Sequence, residues 1–131
     1  MKTKHWLLCC ALVLTMLTTA YAFDYLAKGE WLKRVPASEH SKTNPFEGQP
    51  DAVAGGRRVF LSHCSRCHGE NAEGTKKRPP LHSDRVQHEA TAGDLYWILT
   101  NGNMSKGMPP WTKLPDEQRW QVITYLKSLP N

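Results

Sequence analysis

Residues 60–69 read Phe-Leu-Ser-His-Cys-Ser-Arg-Cys-His-Gly, and the run Cys64-Ser65-Arg66-Cys67-His68 within them constrains the chain more than any other stretch. Two thiols three positions apart, with an imidazole beside the second, share one turn of backbone. Such a cluster can be half of a zinc site, a cycling disulfide, or the attachment point of a haem. A structural zinc site takes four ligands, usually from two such pairs; here there is one pair, and His40, His63, His82 and His88 form no second knuckle. A redox-active Cys-x-x-Cys belongs near a strand–helix junction, and no stretch of this sequence alternates with period two. Haem attachment needs no further residues. Each sulfur adds to one vinyl group, and the adjacent histidine is carried under the porphyrin plane, where its imidazole binds iron.

The N-terminus sets the compartment in which those thiols would work. Lys2 and Lys4 make a positive n-region, Leu7 to Leu17 an apolar stretch, and Ala20-Tyr21-Ala22 a peptidase site with small residues where they are read. The stretch is shorter than the roughly 20 residues of a membrane-spanning helix, and Thr15, Thr18 and Thr19 weaken its far end. Cys9 and Cys10 lack the preceding small residues of a lipid-attachment site. The expectation is a signal peptide over 1–22, cleaved after Ala22, and export to the periplasm; an uncleaved signal anchor is the alternative. Of the four cysteines, Cys64 and Cys67 then remain, so the mature chain has no disulfide framework despite an oxidising destination. Losing Lys2 and Lys4 lowers the formal charge from +5 to +3. With no basic run interleaved with aromatics, nucleic acid is excluded as a partner.

Residues 23–50 are rich in Lys, Glu, Pro and Ser without sustained periodicity; Phe23-Asp24-Tyr25-Leu26 and Trp31-Leu32 are apolar enough to dock on a surface, and the rest reads as an extended arm or linker with breaks at Asn44-Pro45 and Gln49-Pro50. Residues 51–131 form one domain. Asp51 is the expected N-cap of a helix running to His63, with Val53, Arg57, Phe60 and Leu61 at helical spacing. Gly55 and Gly56 lie inside it. Each costs about 1 kcal/mol against alanine, so the pair implies close packing of another helix. Gly69 to Ser83 is loop, Thr91 to Thr100 a short helix stopped by Asn101-Gly102, and Asn103 to Lys113 loop again. A last helix starts with Pro115 at its first position and Asp116 and Glu117 behind it, and turns Trp120, Ile123, Leu126 and Leu129 inward. The domain is all-α. At about 80 residues it has a thin core of its own, which a flat apolar cofactor would complete, so the apo chain is expected to fold poorly.

The iron's sixth position calls for a sulfur, an imidazole, water or nothing. Met108 is set in Gly107-Met108-Pro109-Pro110-Trp111, where glycine allows a close backbone approach and two prolines stiffen the strap. Met104 is the alternative sulfur and lacks this setting. A methionine that merely fills a core gap rarely needs a glycine and two prolines around it.

Taken together these residues resemble a class I cytochrome c, from about Asp51 to Leu129. Gly56, eight residues before Cys64, and Phe60 match the family's first helix. Cys64, Cys67 and His68 match its haem-attachment motif, Pro79-Pro80-Leu81 its Pro-x-Leu segment, Met108-Pro109 its distal ligand segment, and Tyr125-Leu126 the aromatic position of its last helix. The resemblance implies an all-α cytochrome c fold of three to four helices around one covalently bound haem c, with no sheet. It implies axial ligation by His68 and Met108, and a proline carbonyl that accepts a hydrogen bond from the proximal imidazole. Pro79 and Pro80 both stand for that proline; Leu81 falls in place with Pro79. Tyr96-Trp97, Asn101-Gly102 and the Met108 strap are similar to bacterial periplasmic cytochromes that serve dehydrogenases or terminal oxidases.

The function that follows is one-electron transfer in a periplasmic chain rather than an enzyme activity, with redox proteins as donor and acceptor. A saturated iron excludes substrates and O₂, and a methionine ligand raises the reduction potential. Arg66, Lys76, Lys77 and Arg78 lie near the exposed edge in sequence and read equally as solvated charges or as a docking site for an acidic partner. Two other functions stay open: a haem enzyme or ligand sensor with a free distal side, and a haem subunit of a larger complex anchored by residues 23–50. His63 reads as a surface histidine at a helix end, or as a residue that tunes the centre.

Overall fold

The computed structural model describes residues 30–130, together with Met16 and Thr19. The chain divides into two compact units, Met1–Glu30 and Trp31–Asn131. The expected leader and its cleavage site at Ala22 lie outside the described residues except for Met16 and Thr19, where the Thr19 hydroxyl donates to the Met16 carbonyl at 2.9 Å. The second unit holds both cysteines of the motif and five α-helices: α1 (Ala37–His40), α2 (Pro50–His63), α3 (Ser65–His68), α4 (Ala92–Asn101) and α5 (Asp116–Lys127). Single turns of tighter or wider helix occur at Leu32–Arg34, Arg85–Glu89 and Met104–Lys106. Among the described residues there is no strand, only the isolated bridges Thr75–Arg78 and Asn103–Met108. The all-α expectation holds.

The helices start and stop where local chemistry requires. Gln49, not Asp51, caps α2, because Pro50 takes the first helical position and Asp51 joins the first turn as an acid favoured by the dipole. Thr91 caps α4 through a reciprocal pair: its hydroxyl accepts from the Asp94 N–H at 3.2 Å, and the Asp94 carboxylate accepts from the Thr91 N–H at 2.8 Å. Gly102 ends α4 at φ 70°. Pro115 caps α5 from just outside rather than opening it.

The core is the crossing of α2 on α5. Phe60 and Ile123 are fully buried, and the rings of Phe60 and Tyr125 meet at 5.3 Å. Burying a side chain the size of Phe60 contributes roughly 2 kcal/mol or more. A Cβ on Gly56 would lie 1.9 Å from the Gln121 carbonyl oxygen and 3.0 Å from Tyr125 Cβ. The glycine therefore permits the crossing, as the glycine pair required. On α5 the expected Ile123 and Leu126 are buried, Trp120 and Leu129 are partly buried against the core, and Val122 and Tyr125 are buried beside them. Trp120 also stacks on Tyr96 at 4.1 Å, with the Arg119 guanidinium 4.8 Å from the same Tyr96 ring, and Leu129 lies beyond the helix end.

Residues 23–50 were expected to form an extended arm. From Trp31 the chain instead belongs to the same unit as the helices and packs on them. Asn44, 7% exposed, donates from its amide to the Trp120 carbonyl at 3.1 Å and the Thr124 hydroxyl at 2.9 Å, and accepts from the Phe46 N–H. His40 Nδ1 sits 2.6 Å from the fully buried Asp94 carboxylate, and the Thr91 hydroxyl donates to the His40 carbonyl. Gly93 lets this pass occur, since a Cβ there would meet the Glu39 carbonyl at 1.9 Å. These anchors are single polar contacts between residues far apart in sequence, and they leave no periodic pattern. Residues 23–29 lie outside the described residues.

Candidate functional site

The motif sits at the junction of α2 and α3. Cys64 closes the longer helix, its N–H bonding the Phe60 carbonyl at 2.8 Å, and its own carbonyl accepts from both Cys67 and His68 at 3.0 Å. The Ser65 hydroxyl donates back to Leu61 at 2.7 Å. These bonds fix the three functional side chains on one turn. Both cysteines are free thiols, Cys64 half-buried and Cys67 exposed. Burial, reinforced by the neighbouring Cys67, pushes the Cys64 thiol up to about 11. It is a neutral thiol at ordinary pH. Among the described residues no three His, Cys, Asp or Glu side chains gather as a metal site, so no second ligand pair stands beside this one.

His68 is carried toward the Gly69–Ser83 loop. Its Nδ1 lies 3.4 Å from the Pro79 carbonyl oxygen. Donation from Nδ1 to that carbonyl would leave Nε2 with its lone pair, which is the tautomer an iron needs. Burial holds His68 below the ordinary histidine range, assisted by the Arg78 charge and opposed by the Pro79 contact. The loop is pinned by Gly74 N–H on the His68 carbonyl at 2.7 Å and Leu81 N–H on the Ala72 carbonyl at 2.8 Å. A Cβ at Gly74, which has φ 81°, would lie within 2.8 Å of the Arg78–Pro80 backbone, so the loop folds tightly over a glycine.

The strap with the candidate sulfur is closed on itself. Asn103 and Met108 exchange backbone hydrogen bonds at 2.8 and 3.0 Å around the turn Met104–Lys106, and Gly107 takes the left-handed conformation. Met108 is half-buried and packs on the core with Leu81, Trp111 and Cys64, whereas Met104 is 69% exposed. Trp111 holds the strap's far side through its N–H on the Leu99 carbonyl at 2.8 Å. Gly102, read as a helix stop, also makes room for the strap, since a Cβ there would lie 2.7 Å from Met108 O and from the Pro109–Pro110 backbone. Only a glycine lets α4 end against the strap.

Three basic residues of the expected edge patch, Arg66, Lys76 and Lys77, are exposed. Arg78 is engaged elsewhere, donating to the carbonyls of Lys106 and Gly107. The room beside Gly107, assigned from sequence to a close haem approach, is thus filled by the Arg78 guanidinium, 2.8 Å from where a Cβ would be. His63 is exposed at the end of α2, its ring 5.7 Å from Trp111.

These residues fit a covalently held haem. Two uncrosslinked thiols precede an imidazole whose Nδ1 faces the Pro79 carbonyl and whose Nε2 is left for a metal, and a thioether lies in a closed strap on the same core. Leu61, Leu81, Met108 and Trp111 pack on that core but are only partly buried, so the protein itself leaves apolar surface around the motif incompletely covered.

Comparison with known proteins agrees. The family model described as Cytochrome C oxidase, cbb3-type, subunit III matches residues 51–126, more than half of the chain. The chain is 36% identical over 61 residues to the cbb3-type cytochrome c oxidase subunit CcoP of Rubrivivax gelatinosus, covering 47% of this chain and 20% of the relative. Over 91 residues it is 33% identical to CcoP of Azospirillum sp. (strain B510), covering 60% and 31%. It therefore spans less than a third of these relatives' length. The crystal structure of cytochrome CL from the marine methylotroph Methylophaga aminisulfidivorans superposes with TM-score 0.60 at 26% identity, over 74% of this chain and 67% of that one. The chain belongs to the cbb3-type subunit III family of cytochrome c domains, whose work is electron transfer through haem c.

Proposed function

We propose that the chain is a monohaem one-electron carrier of the periplasm, exported by the leader 1–22, with haem c attached at Cys64 and Cys67 and with His68 and Met108 as its axial ligands. The bound haem supplies an iron that alternates between ferric and ferrous. The residues do the rest. Cys64 and Cys67 anchor the ring, and Pro79 rather than Pro80 orients the His68 imidazole. Met108 would take the distal position and so keep water, O₂ and substrates off the metal. Thioether ligation and apolar surroundings both favour the ferrous state and raise the potential. The observation that carries this reading is the joint placement of His68 Nδ1 at 3.4 Å from Pro79 O and of Met108, not Met104, on the core. Donor and acceptor are redox proteins.

Absorption of the oxidised holoprotein tests it. The wild type should show the weak far-red sulfur-to-iron charge-transfer band. Met108→Ala should abolish the band and let carbon monoxide bind the reduced protein, while Met104→Ala should change neither. A Met108→Ala spectrum identical to wild type would assign the wrong sulfur. A wild type without the band that binds carbon monoxide at once would favour an open-sited haem enzyme. A second reading, a haem subunit of a terminal oxidase, is favoured by the CcoP relatives. Size exclusion of native extract separates it from a free carrier.

A further inference from the structure

Arg78 joins the two loops that carry the candidate ligands. Its backbone is locked in a tight turn, with Thr75 N–H on Arg78 O at 2.9 Å and Arg78 N–H on Thr75 O at 3.2 Å. The next residue, Pro79, carries the carbonyl that faces His68. At the other end, Nη1 donates to the Lys106 carbonyl and Nη2 to the Gly107 carbonyl at 3.4 Å, and Met108 is the next residue. The left-handed turn at Gly107 leaves the guanidinium its space. Lys76 and Lys77, on the same turn, are exposed.

We propose that Arg78 is a positioning residue that latches the Lys106–Met108 strap to the proximal loop and so sets how readily the Met108 sulfur leaves the iron. The inference rests on His68 and Met108 being the axial ligands. The Asn103–Met108 bridge closes the strap on itself, and the Trp111 backbone N–H ties its far side to Leu99 of α4; neither bond reaches the proximal loop. Local closure fixes its shape, whereas Arg78 fixes its position against the proximal loop. A planar guanidinium, with several donors in a fixed fork, can hold two carbonyls at once, which suits a latch better than a single ammonium group would.

The test is imidazole binding to the ferric holoprotein, which can occupy the sixth position only when the sulfur has left. Arg78→Gln should keep the far-red band at neutral pH but bind imidazole at least about tenfold more tightly, the loss expected for a charge-assisted hydrogen bond. Arg78→Lys should fall between it and wild type, and guards against a variant that does not fold. Gly107→Ala, which crowds the guanidinium, should loosen the strap in the same direction. Lys76→Gln and Lys77→Gln remove the same charge without the contact and should bind as wild type. Amide exchange at residues 104–108 should accelerate in Arg78→Gln. Unchanged imidazole affinity in Arg78→Gln and Arg78→Lys, with the band present, overturns the latch alone. A shifted potential with unchanged imidazole binding also overturns it, since Arg78 would then act on the haem's own charge. A wild type lacking the band overturns the ligand assignment and the latch together.

Discussion

At Gly56 a single methyl group decides whether two helices can cross. The Cβ of an alanine there would sit 1.9 Å from a backbone carbonyl, which cannot turn aside, whereas at Gly55 it would meet the Gln121 side-chain oxygen at 2.9 Å. Gly56→Ala should therefore cost about 3 kcal/mol or more, because the α2–α5 crossing itself must open. Gly55→Ala should be near neutral, since the amide swings away and the helix gains up to about 1 kcal/mol of propensity. Denaturant midpoints of the two holoproteins check the contrast; equal midpoints would refute it. Residue chemistry of this kind is partly legible in the sequence. Two glycines inside an otherwise good helix ask for a close neighbour, and the Cys64–His68 run names its own chemistry. The room that Gly102, legible as a helix stop, also leaves for the strap, and the contact of Arg78 with that strap, are not legible, because sequence spacing does not show which segments pack against them.

At the scale of elements, α2, α4 and α5 can be read because their signals are local. Pro50, Thr91 with Asp94, Gly102 and Pro115 punctuate the chain within a turn of the boundaries they set. The segment 31–49 and the turn at Arg85–Glu89 escape such a reading because distant groups hold them. Asn44 ties the first to α5. Asn44→Ala should remove the donor to the Thr124 hydroxyl and one of the two donors to the Trp120 carbonyl, which still accepts from the Thr124 hydroxyl at 3.1 Å, costing about 1–2 kcal/mol. A urea melt of the holoprotein with an unchanged midpoint would return the segment to the status of a tether. Lys127 ties the second: its ammonium donates to the carbonyls of Val86, Gln87 and Ala90 at 2.7, 2.8 and 2.7 Å, and burial lowers its pKa. Lys127→Met keeps most of the stem and removes all three bonds. Amide exchange at residues 86–90 should accelerate while that of α2 stays unchanged; uniform protection would show that the turn holds without the cation.

On the scale of the whole molecule the issue is how an acidic partner would find the Cys64–Met108 centre. The fold separates the basic residues near the motif into those that hold loops and those that face water. Arg78 belongs to the first group, while Arg66, Lys76 and Lys77 are exposed. Only the exposed group can steer an encounter, and exposed charges act through solvent over roughly 10 Å at 0.1 M salt and about 3 Å at 1 M. Ferricyanide, a small anionic oxidant, reads this field without the shape requirements of a protein surface. Oxidation of the reduced holoprotein by ferricyanide should slow about twofold or more at low salt in the double variant Lys76→Glu/Lys77→Glu. The difference should vanish at 1 M, and a cationic oxidant should show the opposite order. Because both lysines lie outside the loop contacts that hold Met108, the far-red band should be the same in both proteins. A rate difference that persists at high salt would mean that the substitutions disturbed the centre. Identical rates at low salt would leave these lysines as solvated charges and move the docking face elsewhere on the molecule.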